Sequence, residues 1–108
     1  MIATSRRLEL LHVDLMRPTR TEILEGKRYI MVIVDDFSRY TWVKFLREKS
    51  EACEKLETFC KRLRNEKGVP IVKIKSDHGK DFENTRFESF CEKNGIKMEF
   101  LAQKSLAK

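Results

Sequence analysis

The hydrophobic period of this chain changes partway along, and that change restricts the fold more than any other feature. Up to residue 46 the apolar residues come in short β-type runs. Residues 8–15 (LELLHVDL) read as a strand that stops before Pro18. Residues 29–34 (YIMVIV) are continuously apolar and rich in β-branched side chains, the pattern of a strand buried on both faces. Residues 41–46 (TWVKFL) alternate, as a third strand should. The first link is polar and holds Pro18 and Gly26. The second, Asp35-Asp36-Phe37-Ser38-Arg39, carries turn chemistry. Links this short imply an antiparallel meander.

From Ala52 the spacing becomes three and four. Ala52, Cys53, Leu56, Phe59, Cys60 and Leu63 share one face of a helix of about four turns. Ser50 stands where a cap is needed, and Gly68 followed by Pro70 supplies a stop. Residues 71–75 (IVKIK) return to strand character. Residues 85–93 form a second helical pattern with Phe87, Phe90 and Cys91 on one face. Thr85 and Glu88 fit a capping box there, and Asn94-Gly95 a C-terminal stop. Residues 96–101 (IKMEFL) read as a fifth strand, and residues 102–108 show no clear pattern. The order is therefore β-β-β-α-β-α-β. A strand-helix-strand step needs a parallel, right-handed crossover. The expected fold class is α/β, a mixed five-stranded sheet with flanking helices.

A chain of 108 residues suffices for one domain. Its formal charge of +6 favours polyanionic partners without identifying one. No apolar run approaches the roughly 18 residues that a membrane span requires, and the N-terminus lacks the pattern of a secretory signal. No membrane partner and an intracellular setting are the expectations. The three cysteines, Cys53, Cys60 and Cys91, are odd in number and lack CxxC spacing. They fit buried small hydrophobes better than a disulfide framework or a zinc site.

Two aspartates stand out. Asp14 interrupts an apolar strand between Val13 and Leu15, and Asp77 directly follows the fourth strand. A carboxylate inside a core strand is costly unless it is paired, hydrogen-bonded or metal-bound. Read singly, Asp14 also fits a strand residue facing solvent, and Asp77 an ordinary turn residue. If strands one and four are neighbours, their backbones lie about 4.8 Å apart, and the two carboxylates can share a divalent cation.

The stretch LLHVDLMRPTRTEILEGKRYIMVIVDDFSRYTWVKFLREKS, with IKSDHGKDFEN and then FCEKNGI further on, resembles the integrase catalytic core of copia-type LTR retrotransposons. The similarity runs from about residue 8 to residue 100. It implies a ribonuclease-H-like fold and a D,D-E site for DNA integration by metal-dependent polynucleotidyl transfer. Asp14 and Asp77 match the two aspartates of that site, as catalytic residues and ligands of Mg²⁺ or Mn²⁺. The implied partners are DNA, both retroelement ends and target, and a homo-oligomer. The implied compartment is the nucleus. Lys80 and His78, beside Asp77, are the candidate DNA contacts, although His78 also reads as a plain turn residue.

The resemblance departs from its pattern in one place that matters. The family's glutamate lies on a helix beyond the fifth strand, and no acidic residue follows Glu99 here. Glu99 itself falls too early, in the fifth strand. Residues 1–7 are accordingly read as an extension, 8–101 as a partial catalytic core whose final helices are missing, and 102–108 as a divergent tail. An incomplete, inactive site is the expectation, with metal affinity weakened. A non-catalytic nucleic-acid-binding or assembly module of the same fold is the alternative. A Cys- or His-based zinc site is not expected, because His12 has only Asp14 on its strand face as a possible co-ligand. Asp35 and Asp36 are expected to bond the amides of residues 37–39. The basic residues of the first helix are expected to form a solvated face.

Overall fold

The computed structural model describes residues 4–17, 26–77 and 79–100. Five strands form one sheet: β1 (Leu10–Met16), β2 (Tyr29–Asp35), β3 (Thr41–Leu46), β4 (Lys73–Ser76) and β5 (Lys97–Phe100). Two helices, α1 (Ala52–Lys67) and α2 (Thr85–Lys93), provide the crossovers. The sheet order is β3-β2-β1-β4-β5. β1–β2 and β2–β3 are antiparallel, whereas β1–β4 and β4–β5 are parallel. This is the mixed α/β sheet expected from the element order, and it is consistent with the ribonuclease-H-like integrase core.

Side-chain alternation divides the sheet into two unlike faces. Leu11, Val13 and Leu15 of β1, Met31 and Ile33 of β2, and Ile74 of β4 are buried. They meet Leu56, Phe59, Cys60 and Leu63 of α1 and Phe87, Phe90 and Cys91 of α2 in one core. Each such side chain contributes about 1.5–3 kcal/mol through removal from water. Trp42 packs at the border of this core, with its ring 5.2 Å from Phe59 and 4.9 Å from Tyr40. The three cysteines are free and buried, as their helix positions imply. Burial pushes the Cys53 thiol up to about 11 and those of Cys60 and Cys91 up to about 12.

Several ends differ from the sequence-based expectation. β1 begins at Leu10 and not Leu8, because Leu8 sits at φ 68° in the left-handed region. Its amide donates to Asp35 Oδ1 at 2.9 Å, and its side chain is buried, which together offset the local strain. β4 begins two residues late, at Lys73. Ser50 does not cap α1. It lies inside a 3-10 turn (Lys49–Glu51) that Glu48 and Glu51 close reciprocally. The cap of α2 is Asn84, whose side chain accepts from the Phe87 amide at 2.9 Å, so Thr85 is already helical. Gly68, at φ 70°, ends α1 as expected. The end of β5 expected at Leu101 and the tail lie outside the described residues. No helix among the described residues is long and apolar enough to cross a membrane.

Candidate metal centre

β1 is the central strand and β4 its parallel neighbour. Their register pairs His12 with Lys75. Asp14 lies two residues beyond His12, and Asp77 two residues beyond Lys75. Parallel strands keep their pleats in phase, so the two aspartates share the sheet face that α1 and α2 leave uncovered. The burial pattern agrees, since Leu11, Leu15 and Ile74 turn into the core instead. Asp14 and Asp77 line one depression of about 220 Å³, together with His12, Lys75, Ser76, Val32 and Val34. Val32 is the β2 partner of Asp14, and Val34 that of His12, so β2 contributes an apolar wall.

Local bonding orients these groups. The Leu15 amide donates to Asp14 Oδ1 at 3.0 Å, which directs that carboxylate along its own strand. His12 Nε2 lies 2.8 Å from Asp36 Oδ1. The Thr4 hydroxyl donates to Asp36 Oδ2 at 3.0 Å, and Arg39 Nη1 stands 3.8 Å from Oδ1. The bond from His12, seconded by that from Thr4, holds the Asp36 carboxyl below its ordinary range. Asp36 thus ties β1 to the segment before it and does not bond the turn amides. Asp35 does take the expected turn role, with Oδ2 accepting from Ser38 N–H at 3.0 Å and from Ser38 Oγ at 2.7 Å.

Lys80 is exposed in the 3-10 turn Gly79–Phe82 and is not among the residues lining the depression. His78 lies outside the described residues. Lys75, one of the basic residues whose sequence position also fits a phosphate contact but which ranks there behind Lys80, is the basic side chain that does line the depression. The available signal was the period of two, which puts Lys75 on the face of Asp77. Glu99 pairs with Lys73 across β4–β5, its Oε1 3.4 Å from Nζ. Among the described residues, no three His, Cys, Asp or Glu side chains converge as a metal-binding group. The two carboxylates of the depression, one on β1 and one directly after β4, carry hard oxygens, the donor type that suits Mg²⁺ or Mn²⁺ and not a soft metal.

Known proteins resemble this chain along most of its length. The model of the integrase core domain matches residues 4–105. The retrovirus-related Pol polyprotein from transposon TNT 1-94 of Nicotiana tabacum is 29% identical over 92 residues, covering 85% of this chain and 7% of the polyprotein. The polyprotein from transposon RE1 of Arabidopsis thaliana is 35% identical over 83 residues, covering 75% of this chain and 6% of its own length. The Ty1-NL2 Gag-Pol polyprotein of Saccharomyces cerevisiae is 24% identical over 90 residues, or 82% of this chain and 5% of that protein. The chain therefore spans only a small part of the curated relatives it matches. With a mixed five-stranded sheet of the expected class and a match over residues 4–105, this chain belongs to the integrase core domain family, in the form carried by copia-type retrotransposon Pol polyproteins.

Proposed function

We propose that Asp14 and Asp77 are two ligands of a divalent-cation site, Mg²⁺ or Mn²⁺, in a domain built for polynucleotidyl transfer to DNA. The observation that carries this reading is their common depression on the open face of the sheet, two residues beyond the His12–Lys75 pair. When bound, divalent cations in such a site polarise the phosphoryl oxygens and activate the attacking hydroxyl or water. The protein's part is to hold and orient. Asp14 and Asp77 supply hard anionic oxygens from β1 and from the residue directly after β4. Val32 and Val34 wall the depression on one side. Lys75, within the same depression, offers an ammonium to a phosphate oxygen of the DNA. Lys80 is assigned a second phosphate contact from the adjoining turn. The reading extends to retroelement ends and target DNA as partners, to assembly with a second copy of the chain, and to action in the nucleus.

Two carboxylates hold a cation less tightly than three, and phosphoryl transfer depends on the positions of its ligands. Asp14 and Asp77 are the two carboxylates among the described residues that line the depression. We therefore expect weak Mn²⁺ binding and little strand transfer unless a third anionic ligand is supplied. The alternative, a nucleic-acid-binding module without catalysis, draws on the same absence of a third converging ligand among the described residues.

The test is paramagnetic broadening of amide resonances by Mn²⁺. Broadening centred on residues 12–15 and 75–77, and lost in both Asp14→Asn and Asp77→Asn, is the expected result. Broadening elsewhere, or its persistence in the double variant, refutes the site.

A further inference from the structure

A second charged concavity lies between α1 and α2, on the opposite side of the sheet from the two aspartates. It is an open groove of about 510 Å³. Four cations line it: Lys61 and Arg64 from α1, Arg86 and Lys93 from α2. One carboxylate, Glu57, lies at its base, with its side chain 8% exposed. Glu57 is already engaged on both oxygens, by Lys61 Nζ at 3.1 Å and by Arg86 Nε at 3.3 Å. It therefore works as a buried anchor that draws cations from two helices together. Arg64 Nη1 donates to Asn94 Oδ1 at 2.6 Å, and the Asn94 amide in turn donates to the Phe90 carbonyl at 2.8 Å. That chain of bonds fixes the guanidinium against the end of α2. The remaining donors of these side chains face solvent, as Lys61 at 58% and Arg86 at 71% exposure show.

We propose that this groove docks the phosphate backbone of a DNA segment distinct from the one at Asp14 and Asp77. Three net positive charges within one concavity match consecutive phosphates. Phe90 is the one large apolar side chain lining the groove and it is buried, so an acidic peptide finds no pocket for an anchoring side chain. A helix layer about 10 Å thick and the sheet itself separate the groove from the carboxylates. A single straight duplex cannot occupy both. The charge of the groove is independent of any metal site; the choice of DNA as the polyanion rests on the function proposed above.

The experiment measures binding of a short fluorescein-labelled random-sequence duplex by anisotropy, as a function of salt and without divalent cation. The variant K61Q/K93Q removes two groove cations, and K55Q/R62Q removes two exposed cations of α1 outside the groove lining. Each phosphate contact contributes about 0.9 to the slope of log affinity against log salt. K61Q/K93Q is expected to lower that slope by roughly two and to weaken binding about tenfold or more at low salt. K55Q/R62Q is expected to leave both nearly unchanged. Because Lys61 also pairs with Glu57, a second readout uses the unmodified protein: DNA should protect Lys61 and Lys93 from amine acylation more than Lys55. Equal losses in the two variants, or no protection at Lys61 and Lys93, overturns the groove. So does displacement of DNA from it by polyglutamate at lower concentration than by unlabelled duplex, which identifies an acidic-protein surface. D14N/D77N should retain groove binding, so failure of the metal site and failure of the groove are told apart.

Discussion

Replacing Asp35 with alanine should destabilise this domain more than any substitution at the sheet's open face. Asp35 is 1% exposed at the end of β2. Its Oδ1 accepts the Leu8 amide at 2.9 Å, and its Oδ2 accepts Ser38 N–H at 3.0 Å and Ser38 Oγ at 2.7 Å. Alanine strands the buried Leu8 donor, which costs about 1–3 kcal/mol. The Ser38 donors are exposed and regain water, so their share is about 0.5–1 kcal/mol each. Relief of carboxylate burial offsets part of the sum, leaving a loss of about 1–4 kcal/mol. That is a large fraction of the roughly 5–15 kcal/mol typical of a domain. The loss is concentrated where Leu8 holds its left-handed backbone, and the Leu8 carbonyl accepts from Val72 beside β4. Trp42 is the only tryptophan and reports unfolding directly through its packing on Phe59. In urea the midpoint should fall by about 2 M for Asp35→Ala and by less than about 1 M for Ser38→Ala. Equal shifts for the two variants, or a midpoint for Asp35→Ala close to that of the parent, would show that the carboxylate does not anchor the N-terminal segment.

Two further outcomes follow from ionisation. With thiols raised from an ordinary 9.0 to about 11 at Cys53 and about 12 at Cys60 and Cys91, all three should resist alkylation by iodoacetamide near pH 8 and react together once urea unfolds the chain; rapid labelling of the folded protein would contradict their burial. The Asp36 carboxyl is held low by His12 and Thr4, so the folded state favours its charged form, and the resulting stability is whole above the ordinary value of 3.8 and disappears as pH falls through the lower folded value. The melting-temperature gap between the parent and Asp36→Asn should therefore be open near pH 5 and close below about pH 4, and a gap that widens on acidification would reverse the assignment.

The element types were legible because they depend on local period. Continuous apolar residues in β2, alternation in β3, and three-and-four spacing at Leu56, Phe59, Cys60 and Leu63 each reflect one segment meeting one surface. The anomalous position of Asp14 was legible for the same reason, since a charge in an apolar strand contradicts its own neighbours. Ends were less legible. Whether Ser50 or Glu48, Thr85 or Asn84 closes a helix turns on backbone angles that neighbouring packing decides.

What no local pattern contains is adjacency. The order β3-β2-β1-β4-β5 sets β1 against β4, and that pairing brings Asp14, Lys75 and Asp77 to one depression. The crossover through α1 allows a parallel strand on either free edge of the meander; long-range backbone pairing of β4 with β1 sets it at the edge beside β1. Likewise, Lys61 and Arg64 read as a solvated helix face until α2 packs alongside and Glu57 gathers Arg86 and Lys61 onto one carboxylate. Sequence period determined which residues turn inward. Tertiary pairing decided which outward-facing charges meet, because that depends on contacts between segments far apart along the chain.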